Sequence, residues 1–90
     1  MLKISFTNQY LKDLELMKRR KLPKSELDEV IKLLLEEQNL PPKYKDHPLK
    51  GNFIGYRECH IRPNWLLIYK IYKNILTLVL VRTGTHSDLF

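Results

Sequence analysis

The sequence predicts an α+β domain of order β-α-α-β-β-β with a short C-terminal tail, its two helices packed on one face of a small, mostly antiparallel sheet. Three observations predict it. Apolar residues recur at helical spacing only in the first half. The second half carries strand-length apolar runs separated by turn signals. Two helices cannot cover both faces of a four-stranded sheet, so they share one, and the other face stays partly free for a site. The 90 residues make a single domain, 1–90, with no repeat at solenoid spacing.

Each element follows in order. Leu2, Ile4 and Phe6 alternate with Lys3 and Ser5, the period of a short strand. Tyr10, Leu11, Leu14 and Met17 then line one side of a helix, which Lys18-Arg19-Arg20-Lys21 closes where cations suit the negative end of the helix dipole. Leu22-Pro23 breaks the chain, and Ser25 is placed to cap a second helix with the stripe Leu27, Val30, Ile31, Leu34. Pro41-Pro42 stops it. Strands are expected over Phe53 to Ile61, Trp65 to Tyr72 and Ile75 to Arg82, with Lys73-Asn74 as the reversal of a hairpin between the last two. The last two runs are apolar on both faces, as central strands are.

Composition narrows the class. An apolar fraction of 43% excludes wholesale disorder, and a single cysteine, Cys59, excludes an internal disulfide framework. No apolar run reaches the roughly 18 residues of a membrane span, and the start lacks the long apolar core of a secretory signal, so a cytoplasmic address is expected. The net charge is +6, and residues 46–90 contain only three acids: Asp46, Glu58 and Asp88. A small basic domain commonly meets a polyanion, nucleic acid or ribosomal surface among them.

The residues suited to chemistry lie in the second half. All three histidines, His47, His60 and His86, are there, and imidazole both gives and takes protons near neutrality. His60 sits on a predicted strand that presents Glu58 and Tyr56 on the same face. His47 enters that strand and His86 follows the last one, at strand ends where a sheet displays catalytic groups. The spacing 47-60-86 matches no compact metal-ligand signature, so no metal is expected. Arg57, Arg62 and Arg82 offer phosphate clamps; Tyr56 and Phe90 offer rings for bases, while Trp65 reads as core.

Four blocks sharpen this: Tyr44-Lys-Asp-His47-Pro-Leu-Lys-Gly51, Gly55-Tyr-Arg-Glu-Cys-His60-Ile, Pro63-Asn-Trp-Leu-Leu-Ile-Tyr69-Lys70 and Arg82-Thr-Gly-Thr-His86-Ser-Asp-Leu-Phe90. In order and in register, they resemble the YafQ branch of the RelE/ParE toxin superfamily. The resemblance spans the second half; the first half agrees in its strand–helix–helix pattern. It implies a RelE-like fold and a ribosome-dependent messenger-RNA endonuclease, the toxin of a bacterial type II toxin–antitoxin pair. The implied partners are a cognate antitoxin protein, messenger RNA and the ribosome, with no cofactor and no membrane. Carried over, the catalytic set is His47, His60 and His86, with Glu58 at a position the family fills with an acid. By the same resemblance Arg82 contacts phosphate and Phe90 helps orient the RNA; the residue reading adds Tyr56 as a stacking ring, Arg57 as a phosphate clamp and Asn64 to the substrate side. Asn64 departs from the family, which often has a catalytic aspartate there, and asparagine cannot exchange a proton near neutrality. Two alternatives stay open: a ParE-like relative that acts by binding gyrase, and an RNA- or ribosome-binding module without catalysis.

Overall fold

A computed structural model describes residues 1–90. The chain runs β1 (Lys3–Phe6), α1 (Asn8–Arg19), α2 (Lys24–Leu35), β2 (His47–Pro48), β3 (Arg57–Arg62), β4 (Trp65–Tyr72), β5 (Thr77–Gly84) and α3 (His86–Leu89). The five strands form one sheet in the order β1-β5-β4-β3-β2. Every neighbouring pair is antiparallel except β1 with β5. The expected α+β class therefore holds, with β4 and β5 in the interior of the sheet as their two-sided apolar runs require.

Both long helices cover one face. Tyr10, Met17, Leu27, Val30, Ile31 and Leu34 pack there against Cys59, Ile61, Trp65, Leu67, Tyr69, Leu78 and Leu80. The opposite face keeps a smaller apolar cluster, Leu66, Ile68 and Leu89, with Leu49, Phe53, Tyr56 and Val81 against it. Strand alternation sorts β3 and β4 between the two: Cys59 and Ile61 point to the helices, Glu58 and His60 to the open face.

Several expectations are corrected. The second expected strand starts at Arg57, not Phe53, because Gly51 and Gly55 adopt φ of 66° and 92° and residues 51–53 form a 3-10 turn. A two-residue strand, β2, was not foreseen. Lys73-Asn74 is the start of a longer reversal, a 3-10 turn over Lys73–Ile75 followed by left-handed Leu76, so β5 begins at Thr77. Ser25 lies inside α2, which starts at Lys24 after Pro23 without a side-chain cap. Thr7, instead, caps α1 by accepting the Tyr10 N–H. Leu2 is buried, but Ile4 and Phe6 stay about half exposed, since β1 is an edge strand at the margin of the helix layer. The tail folds as α3, with a reciprocal Thr85–Asp88 capping box.

Candidate functional site

The open face is organised in rows across the strands. In one row His47 of β2 stands opposite Glu58 of β3, Glu58 opposite Ile68 of β4, and Ile68 opposite Arg82 of β5. In the next, His60 stands opposite Leu66 and Leu66 opposite Gly84, two residues before His86. Strands lie about 4.8 Å apart, so residues distant in sequence become neighbours at the spacing of one side chain.

Glu58 is the centre of the first group. Its side chain is buried, and Oε1 lies 3.5 Å from Nε2 of both His47 and His60. Its Oε2 has no hydrogen-bond partner. The imidazoles are oriented from behind: Nδ1 of His47 meets the Lys45 carbonyl at 2.7 Å and Nδ1 of His60 meets the Pro63 carbonyl at 3.3 Å. With Nδ1–H donated to a backbone carbonyl, Nε2 is left as the nitrogen that exchanges protons, and both are turned toward one carboxylate. The three ligand atoms lie within 4.8 Å of one another, so the trio can also hold a metal ion. Spacing among the histidines alone did not reveal this, because the third member is Glu58 and not His86.

His86 forms a separate station at the start of α3. Its ring packs 5.0 Å from Phe90, which meets Phe53 edge-on at 5.7 Å. Asn64, in the turn between β3 and β4, accepts the His86 N–H at 3.3 Å and so ties that turn to α3. Asp88 accepts the Thr85 N–H at 2.8 Å and holds Arg20, at the end of α1, at 2.7 and 3.2 Å. These bonds keep the Asp88 carboxyl well below the usual carboxylate range. Gly84 permits the close approach, because a Cβ there would lie 3.0 Å from the Asp88 Cβ.

The arginines are placed differently from expectation. Arg57 points away from the row of Glu58 and grips Asp46 through Nε and Nη2 at 3.3 and 3.2 Å. Asp46 also accepts the buried Tyr69 hydroxyl, whose pKa is pushed up by burial and by that bond. Arg57 thus lies on the helix side, opposite Tyr69, as a brace on Asp46. Arg62 is spent on Glu26 of α2 at 2.8 and 2.6 Å. Arg82 stays in the site row, with its Nε and Nη2 held by Asp13 of α1 at 2.7 and 3.1 Å and its Nη1 unused. Buried Asp13 also accepts the Thr83 N–H at 3.2 Å, beyond Leu80, where β1 no longer borders β5. Sequence reasoning missed Asp13, although an acid between Tyr10 and Met17 on the apolar stripe of α1 was its signal. Trp65 is core, as expected, its Nε1–H donated to buried Thr83 at 2.9 Å. A cavity of about 480 Å³ between α2 and β3 is lined by His60 but by neither Glu58 nor His86.

The family model described as the bacterial toxin of a type II toxin–antitoxin system, YafQ, matches residues 2–90. The mRNA interferase toxin YafQ of Escherichia coli strain K12 is 42% identical over 88 residues, 97% of this chain and 94% of that protein. A metal-bound toxin from Helicobacter pylori superposes with a TM-score of 0.94 at 47% identity, covering 100% of each chain. The toxin in the E. coli DinJ–YafQ toxin–antitoxin complex superposes with a TM-score of 0.89 at 40% identity, over 100% of this chain and 99% of that one.

Proposed function

The chain belongs to the YafQ toxin family of type II toxin–antitoxin systems, and from that premise we propose that it is an endoribonuclease that cleaves messenger RNA on the ribosome and is held in check by a cognate antitoxin protein. The observation that carries the reading is the His47–Glu58–His60 trio, with His86 on a different element, at the start of α3.

RNA supplies its own nucleophile. The 2′-oxygen attacks the adjacent phosphorus, the bond to the 5′-oxygen breaks, and the products are a 2′,3′-cyclic phosphate and a 5′-hydroxyl. In-line displacement puts the attacking and leaving oxygens on opposite sides of phosphorus, so the base and the acid must be two separate stations. The trio and His86 are two such stations. One takes the 2′-hydroxyl proton and the other protonates the leaving oxygen. Glu58 steadies the charge that its two imidazoles gain, and the free Nη1 of Arg82 faces the charge that builds on phosphate. Asn64 acts here through its side-chain Oδ1, which seats His86 by accepting its backbone N–H, and not as a proton carrier. No step needs a metal. A second reading of the trio is favoured by its clustered ligand atoms: His47, Glu58 and His60 would hold a metal ion, which would take up the Nε2 lone pairs and silence proton exchange there.

Ribosome dependence follows from alignment. The open face lacks a closed groove to fix the 2′-oxygen, phosphorus and leaving oxygen in line, and misplacement is costly. The test compares one transcript, naked and on programmed ribosomes, at equal toxin and salt, with and without a chelator. Cleavage is expected only on ribosomes, undiminished by the chelator, and about 10²- to 10⁴-fold slower for His60→Ala or His86→Ala. Wild-type rates from those variants would sink the assignment, equal rates on naked RNA would remove the ribosome, and loss with the chelator would make a metal part of the reaction.

A further inference from the structure

We propose that the message leaves the cleavage site along a track formed by Phe53, Tyr56, Lys70 and Tyr72, which binds the nucleotides flanking the scissile bond as a single strand; this rests on the endonuclease reading. Two observations carry it.

The first is an unbroken line of contacts. His86 meets Phe90 at 5.0 Å, Phe90 meets Phe53 at 5.7 Å, and Phe53 meets Tyr56 at 6.3 Å. The Lys70 ammonium lies 5.2 Å from the Tyr56 ring centre and 4.9 Å from that of Tyr72. The line therefore runs from a catalytic imidazole to the far end of β4. It stays on the open face: Phe53 and Tyr56 pack on the Leu66–Ile68 cluster, and Lys70 and Tyr72 alternate in step with Ile68. Lys70 is two residues from Ile68, the partner of Glu58, and so about 7 Å along the sheet from the trio's row.

The second is charge. Arg20, Arg57, Arg62 and Arg82 each hold a carboxylate, whereas Lys70 has no acidic partner. It rests against the Tyr56 and Tyr72 ring faces, and Gly55, at φ 92°, passes beside it with no side chain to cover it. Aromatic faces interleaved with an unneutralised cation are what a sequence-tolerant single-strand site needs, the rings for bases and the ammonium for phosphate.

The test titrates a fluorescein-labelled 2′-O-methyl oligoribonucleotide, which has no 2′-hydroxyl to react, into the full chain. Lys70→Ala and Tyr72→Ala are each expected to weaken binding by about tenfold, with Lys70→Arg and Tyr72→Phe close to wild type. For Lys70→Ala the slope of log K against log salt shrinks by about 0.7; for Tyr72→Ala it does not change. A packing role alone moves the melting temperature and leaves that slope intact. If Lys70→Ala does not fold, Lys70→Gln is measured by the same criteria. Folded variants with wild-type affinity and slope, or a wild type that does not bind at low salt, overturn the track. A wild type that binds the oligomer through Lys70 and Tyr72 but cleaves no message on ribosomes overturns the endonuclease reading and leaves the track standing.

Discussion

A carboxylate with one oxygen between two imidazoles and the other unpaired in the interior is costly to bury, and folds keep such groups where they are used. Glu58→Gln separates use from support. The amide preserves shape and removes a buried charge, so the melting temperature is expected to hold or rise while cleavage falls by about 10²-fold or more. A lower melting temperature with wild-type cleavage would make Glu58 a strut. Asn64 is a second residue whose role changes once its partner is known. Its Oδ1 accepts the His86 N–H at the start of a helix, a place where a carboxylate is also welcome. Asn64→Asp is therefore expected to keep the fold and bring a titratable group beside His86, which shows as a shifted pH profile of cleavage. An unchanged profile would confine the position to holding α3.

At the scale of elements, α3 is the least self-sufficient piece and the most tightly moored. Four residues cannot sustain a helix alone. The Thr85–Asp88 box, the Arg20 pair and the Asn64 bond supply what length does not. Since the folded-state pKa of Asp88 is depressed, its contribution is present in full above the unfolded value of about 4 and is lost as pH falls toward the folded one. Asp88→Asn should lower the melting temperature at pH 7 by a few degrees, for a loss of about 1–2 kcal/mol. The gap from wild type should close as both are titrated below pH 4. A gap that stays constant to pH 2 would show that the carboxylate charge is not what moors α3. The Thr85-x-x-Asp88 spacing was in the sequence as a helix start, but a four-residue helix has no periodicity to support it. Strand β4 was legible to the residue because its apolar run is bounded by Pro63-Asn64 and Lys73-Asn74. Strand β2 was not, since two residues carry no pattern and exist as a strand only beside β3.

For the whole molecule, the basic balance was legible and its distribution was not. Arg57, Arg62 and Arg82 looked alike in sequence, yet each is engaged by an acid 11, 36 or 69 positions away, pairings that only the fold creates. The count of rings was also short: Phe53 and Tyr72 join Tyr56 and Phe90 on the open face because a 3-10 turn and strand alternation bring them there. Cationic surface remains on α1 and the turn after it. Arg20 is bound to Asp88 and Lys18 lies 3.4 Å from Glu15, but Lys12, Arg19 and Lys21 are exposed and unpaired. The double variant Lys12→Glu/Arg19→Glu is expected to raise the ribosome concentration needed for half-maximal cleavage several-fold at low salt. Its maximal rate should be unchanged, and the difference should shrink as salt rises. A lower maximal rate at saturating ribosomes would place these residues in the chemistry instead of the encounter.

The alternation along β3 has a consequence for how such a protein can be changed. Arg57, Cys59 and Ile61 serve the helix side, while Tyr56, Glu58 and His60 serve the open face. Core and open face are thus written on alternate letters of one short segment, and β4 continues the arrangement, with Trp65, Leu67 and Tyr69 on one side and Lys70 and Tyr72 reachable on the other. A library confined to positions 56, 70 and 72 varies the surface beside Glu58 and leaves the large core untouched. Lineages can drift in what they cut without first losing the ability to fold, and a laboratory selection can follow the same route.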